Sequence, residues 1–213
     1  MINKIKNNKT LIYMMLPFLI IITLITSKII TGKELVIDKI AHDVLVKQLR
    51  TPALTTFMKL ITKLSDTGMI IILAIILTLL FIFKWKKPKV AKLIPYSLIM
   101  VTSMNQILKF IFQRERPIGY RLIEIGGYSF PSGHSMVSMA FYGLLIYIIC
   151  HYVENKYLKN SLIILNILII IFIGISRVYL GVHYLSDVLT GYSISVIYLL
   201  ILTKLLKKYQ IIT

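Results

Sequence analysis

A single cysteine, Cys150, in a chain of 213 residues excludes an intrachain disulfide and any multi-cysteine metal site. It falls at the end of an apolar run and reads as a small hydrophobe. Acidic residues are nearly as scarce, 8 Asp and Glu against 25 Lys and Arg, and no cluster of them offers hard-metal ligation. No internal repeat or low-complexity linker divides the chain. After the first apolar run, Thr26-Ser27-Lys28-Ile29-Ile30 contains no A-x-A-like cleavage site, so that run is expected to stay attached rather than to act as a secretory signal.

Charged residues make up only 15%, hydrophobic residues 57%, and the mean hydropathy is +0.82. These values belong to a membrane protein. An open sheet in lipid would leave backbone groups unpaired, so the spans must be helices. Six apolar segments are long enough to cross about 30 Å of hydrocarbon: roughly residues 10–30, 67–84, 90–110, 132–150, 160–178 and 184–206. The expected architecture is an all-α integral membrane protein, one six-helix bundle and a single domain over residues 1–213.

The net charge of +17 raises nucleic-acid binding, but no binding module accompanies it. The lysines sit instead in short clusters at the ends of apolar runs: Lys4, Lys6 and Lys9; Lys84, Lys86, Lys87, Lys89 and Lys92; Lys204, Lys207 and Lys208. With six spans these fall on one side, which is expected to be cytoplasmic along with both termini. Residues 109–131 and 179–183 then face outward. The first outer connection carries Lys33, Lys39, Lys47, Arg50, Lys59 and Lys63 and counts against this orientation, although acidic residues are mixed in. Within it, Glu34 to Arg50 places Val36, Ile37, Ile40, Ala41, Val44, Leu45 and Leu49 on one stripe, with Asp38, Lys39, His42, Asp43 and Lys47 elsewhere. That pattern predicts an amphipathic interfacial helix. Thr51-Pro52 predicts a second short helix, with Leu54, Phe57, Met58 and Ile61 on one side.

Polar residues gather where spans meet the outer surface, in three clusters: Lys109-x6-Arg116-Pro117, Pro131-Ser132-Gly133-His134, and Ser176-Arg177-x5-His183-x3-Asp187. His183 and Asp187 are one helical turn apart, so a carboxylate can hold one imidazole nitrogen protonated and leave the other as a nucleophile. Ser132-Gly133-His134 precedes an apolar run, where free N–H groups and the helix dipole favour an anion. His134 would be positioned to protonate a departing oxygen. Lys109, Arg116 and Arg177 add fixed positive charge suited to phosphate oxygens. Taken singly, Lys109 or Arg116 reads as a snorkelling anchor, His183 as an interfacial residue, Ser-Gly as a turn, and Arg114 with Glu115 as a solvated pair. The conjunction on one face carries the functional reading.

These clusters resemble the three-part signature of the type 2 phosphatidic acid phosphatase (PAP2) superfamily, K-x6-R-P, P-S-G-H and S-R-x5-H-x3-D, with no departure at a defining position. The resemblance implies a six-helix fold and a covalent phosphohistidine on His183. It further implies acid assistance from His134, orientation of His183 by Asp187, and phosphate binding by Lys109, Arg116, Ser132, Gly133, His134 and Arg177. No metal or other cofactor is implied. The chain is most similar to small bacterial members acting on phosphatidylglycerophosphate or undecaprenyl diphosphate, with a membrane lipid phosphate as partner and no nucleic acid. Arg114 and Arg121 are candidates for a second phosphate, or else loop charges facing solvent. A transporter or scramblase using the same basic cleft, and a vanadate-dependent haloperoxidase, are the alternatives.

Overall fold

The computed structural model describes the backbone of residues 2–209 and 211, and side chains from residue 8 onward; the side chains of Lys4 and Lys6, counted above for orientation, lie outside the described residues. Eight α-helices follow one another: α1 (Ile2–Ile30), α2 (Val36–His42), α3 (Pro52–Lys63), α4 (Thr67–Leu79), α5 (Pro88–Phe112), α6 (Gly133–Tyr152), α7 (Lys156–Tyr179) and α8 (Leu185–Lys208). Wider π-type turns extend α2 over Asp43–Gln48 and α4 over Leu80–Lys84. Among the described residues there is no strand.

Among the described residues, five helical segments are long and apolar enough to cross a membrane: Asn8–Ile30, Thr67–Lys84, Gly133–Tyr152, Lys156–Tyr179 and Leu185–Lys208. The fifth helix, α5, is 25 residues long, yet it carries Lys89, Lys92, Thr102, Ser103, Asn105, Gln106 and Lys109. Its polar face borders an internal cavity, described below, which explains why it is less apolar than the others. Caps set several boundaries. Asn155 accepts from the Leu158 amide at 3.0 Å and starts α7 earlier than its apolar run. Thr51 accepts from the Leu54 amide at 3.3 Å and opens α3 where Thr-Pro predicts.

The sixth helix, α6, is central and packs against α5, α7 and α8, while α1 rests on α8. Small residues let these backbones approach, as in membrane bundles generally. A Cβ on Gly191 of α8 would lie 2.9 Å from the Ser132 carbonyl oxygen, so glycine is what allows α8 to seat against the turn that opens α6. Val36, Ile37, Ile40, Val44 and Leu49 of the first connection are exposed, as an interfacial helix requires. One expectation is corrected there. Asp38 is buried rather than on the polar outer face, because it turns inward to an arginine. In α3, Phe57 stacks edge-on against Phe172 of α7 while Met58 is buried.

One end of the bundle is lysine-rich. There Lys204 bonds Asn8, and Lys87 lies 4.3 Å from the centre of the Tyr152 ring, so the α1 and α8 ends and both short connections converge. The three polar clusters meet at the opposite end.

Candidate active site

The α7 helix ends in a tight turn through Gly181, whose φ of +72° lies in the left-handed region that disfavours a Cβ. Arg50 clamps this turn, donating to the Tyr179 and Tyr120 carbonyls at 2.6 and 2.7 Å. The turn delivers His183 to the start of α8. His183 is buried, and its Nδ1 lies 3.3 Å from Oδ2 of Asp187, which is fully buried. Nη1 of Arg116 is 3.1 Å from His183 Nε2. A guanidinium can only donate. Nε2 must therefore offer its lone pair, the ring proton sits on Nδ1, and Nδ1 donates to Asp187. Burial, followed by the nearby positive charges of Arg177 and Arg116, outweighs the hydrogen bond from Asp187 and pushes His183 down to about 3. The imidazole is neutral, as a nucleophile must be.

Asp187 is fully engaged. The Tyr184 amide donates to Oδ2 at 2.9 Å, Ser129 Oγ donates to the same oxygen, and Arg114 Nη1 donates to Oδ1 at 2.7 Å. Arg114 also reaches Asp38 at 3.0 Å and Ser186 Oγ at 2.7 Å. Asp38 in turn accepts from the Ser186 amide at 2.7 Å. The solvated Arg114–Glu115 pair is thus overturned: Glu115 is exposed and Arg114 turns inward. Arg121 is exposed, its Nε on the Pro117 carbonyl at 2.8 Å.

Arg116 is buried, and it donates to the carbonyls of Gly126, Gly127 and Val182 at 3.1, 2.9 and 2.8 Å. Burial lowers its pKa, but an arginine remains charged. Lys109, in the last turn of α5, donates to the Tyr128 carbonyl at 2.6 Å. Arg177 is fully buried; its Nη1 donates to Thr62 Oγ1 at 2.8 Å, while Nε and Nη2 have no partner among the described residues. Buried guanidinium donors without acceptors are costly unless an anion satisfies them.

Ser132 caps α6, accepting from the Ser135 amide at 3.4 Å, and its own amide donates to the Asp187 carbonyl at 3.1 Å. The Ser132 amide is therefore taken, while its hydroxyl accepts from Ser135 and keeps its own proton to donate, so the anion-binding reading of this turn rests on that hydroxyl and on the Gly133 and His134 amides. Gly133 faces Asn105, whose Oδ1 would be 3.0 Å from an added Cβ. His134 Nε2 lies 2.8 Å from Asp66 Oδ1, a contact the sequence did not announce. The hydrogen bond from His134 lowers the pKa of Asp66.

A cavity of about 510 Å³ connects these groups. Lys109, Arg116, Gly133, His134 and His183 line its polar end, Thr102, Ser103, Asn105 and Gln106 of α5 line one side, and Ile70, Ile71, Leu98, Ile99 and Val137 of α4, α5 and α6 form an apolar wall. The structure thus brings Lys109, Arg116, Ser132, Gly133, His134, Arg177, His183 and Asp187 into one neighbourhood. Sequence reasoning missed Asp38, Asp66, Ser129, Thr62 and Ser65, and it misjudged Arg114. A signal did exist for two of them: with so few acidic residues in an apolar chain, each aspartate near a span needs a partner.

The model of the PAP2 superfamily matches residues 67–211. Phosphatidylglycerophosphatase B of Bacillus subtilis (strain 168) is 38% identical over 96 residues, 44% of this chain and 47% of that protein, so the match spans about half the length of that curated relative. Among solved structures, the transmembrane PAP2-type phosphatidylglycerolphosphate phosphatase from Bacillus subtilis superposes with a TM-score of 0.80 at 28% identity, covering 93% of this chain and 96% of that one. LpxE from Aquifex aeolicus superposes with a TM-score of 0.58 at 26% identity, covering 76% and 91%.

Proposed function

The chain belongs to the PAP2 superfamily, and from that premise we propose that it is a multi-pass membrane phosphatase that hydrolyses a lipid phosphate through a phosphohistidine on His183. The observation that carries the reading is the neutral His183, its proton held on Nδ1 by Asp187 and its Nε2 lone pair directed to Arg116 at 3.1 Å. A phosphate that engages Arg116 would draw the guanidinium to its own oxygens and release that lone pair beside phosphorus. Arg177 Nε and Nη2, Lys109, and the Gly133 and His134 amides would take the remaining oxygens and stabilise the charge of in-line transfer. His183 Nε2 forms a bond to phosphorus as the lipid oxygen leaves, and His134 protonates that oxygen. Water then attacks phosphorus, giving its proton to His134 and restoring the lone pair of His183.

The apolar wall of the cavity, from α4, α5 and α6, suits a lipid tail and is unneeded by a soluble ester. Between the two substrates that the resemblance to small bacterial members offers, we favour a lipid phosphate monoester of the phosphatidylglycerophosphate kind over undecaprenyl diphosphate. Arg114 is committed to two aspartates, and Arg121 is exposed and outside the cavity lining, so neither is free to hold a second phosphate.

We further read α5 as a sixth span, the whole chain as one domain, and the site as facing outward with the lysine-rich end cytoplasmic. Hydrolysis of a panel of purified lipid phosphates and diphosphates in EDTA tests the reading. The monoesters are expected to turn over fastest, with no loss in chelator, because cations of the chain supply the positive charge. Inactivity on the whole panel, or activity lost in EDTA and restored by one metal, would overturn it.

A further inference from the structure

One short turn outside the three motifs grips two of them. Thr62 Oγ1 accepts from Arg177 Nη1 at 2.8 Å, Ser65 Oγ donates to the His134 carbonyl at 3.0 Å, and Asp66 Oδ1 meets His134 Nε2 at 2.8 Å. The turn lies immediately before the segment that the family model matches, which begins at residue 67. Asp66 stands at the N-cap of α4, yet its side chain makes no capping hydrogen bond. An aspartate at that position ordinarily bonds the open amides of the first turn. Here the carboxylate forgoes them for an imidazole on another helix.

We propose that Asp66 is a positioning residue for proton transfer, and that residues 62–66 form a fourth structural part of the active site. The inference rests on the phosphatase reading and assigns a role within it. The carboxylate accepts the Nε2 proton of His134, so the nitrogen that serves the cavity is Nδ1. In the protonated ring both nitrogens carry hydrogen. Nε2–H stays on Asp66 while Nδ1–H passes to the lipid oxygen as the phosphorus–oxygen bond breaks. What remains is a neutral ring with its one proton still on Asp66. In the second half-reaction Nδ1 takes a proton from water as the water oxygen attacks phosphorus. The carboxylate also favours the charged ring against Arg177 and Arg116, which face it from α7 and from the connection between α5 and α6, while Lys63 from the end of α3 acts on Asp66. Without Asp66, the His134 ring would be free to rotate and its Nδ1 would no longer be fixed toward the cavity.

The test compares Asp66→Asn and Asp66→Glu with wild type on two substrates, a phosphatidylglycerophosphate in detergent and p-nitrophenyl phosphate, whose leaving group needs little protonation. Asp66→Asn is expected to lower kcat on the lipid by about thirtyfold with KM within about threefold, to cost less than about threefold on p-nitrophenyl phosphate, and to move the alkaline limb of the lipid profile down by about one pH unit. Asp66→Glu, which keeps the charge, should recover most of the loss. Equal losses on both substrates with an unmoved pH limb, or full lipid activity in Asp66→Asn, would overturn the proposal. If Asp66→Asn does not fold, Asp66→Glu alone decides, since a pH limb unshifted from wild type with unequal losses on the two substrates supports it, and equal losses overturn it. A wild type inactive on both substrates would instead sink the phosphatase reading itself.

Discussion

The site contains two histidine–aspartate pairs built in opposite ways. His183 and Asp187 are 4 residues apart, their side chains 2% and 0% exposed, and the carboxylate is held from several directions. His134 and Asp66 are 68 residues apart, 19% and 50% exposed, and their contact is a single hydrogen bond. The difference follows from the work each ring would do. A nucleophile has to present one fixed tautomer and never exchange its proton, so burial and a saturated carboxylate serve it. An acid that is reprotonated in each cycle has to meet water, so its carboxylate stays near solvent.

The largest expected effect separates the two rings. His183→Gln should remove turnover by at least about 10⁴-fold and abolish covalent labelling from a phosphate-labelled substrate. His134→Gln should still form the labelled enzyme from p-nitrophenyl phosphate, within about tenfold of wild type. Acid quenching followed by peptide mapping makes the comparison. Label on His134, or label persisting in folded His183→Gln, would exchange the two roles.

How legible each pair is in the sequence follows from the same contrast. His183 and Asp187 are one turn apart, so spacing alone puts them together, and the helices could be read because a bilayer imposes length and apolarity on every span. Thr62, Ser65 and Asp66 reach the site only because α3 packs on α7 and α4 starts beside α6. No local pattern encodes that tertiary arrangement. Asp38 was hidden for a different reason: helical periodicity assigned it to a polar face, and that face is turned toward Arg114 rather than water. The structure also tempers one motif reading, since the Ser132 amide serves the Asp187 carbonyl and is not open to an anion.

A middle-sized effect sharpens the view of the buried pair. Arg114 is shared by Asp187 and Asp38 at 2.7 and 3.0 Å. Arg114→Ala would strand two buried carboxylates, a change that typically costs about 3–5 kcal/mol. The variant should melt well below wild type in detergent and lose about tenfold to a hundredfold in kcat as His183 loses its anchor. Asp38→Asn should cost less on both measures, because Arg114 keeps Asp187. If Asp38→Asn proves as damaging as Arg114→Ala, α2 contributes more to the site than its single aspartate.

The smallest effect is a pH dependence that should divide the pairs by the pH range in which each loses stability. The folded pKa of His183 is about 3, against 6.5 for a free histidine. Below 6.5 the unfolded chain takes up a proton that the folded chain refuses, so stability falls as pH drops from 6.5 toward 3, by about 2 kcal/mol at pH 5 for this residue. Asp66 behaves otherwise. Its folded pKa lies below 3.8, so the stability it contributes is present above its unfolded value and is lost only as pH falls through the folded one. Between pH 7 and 5 the contribution of Asp66 is constant and that of His183 is not. Thermal melts of wild type in detergent should therefore drop by a few degrees over that interval, and His183→Gln should show a visibly shallower slope. Parallel slopes for wild type and His183→Gln would mean that the imidazole is not held neutral by burial, and the contrast between the two pairs would fail at its most basic point.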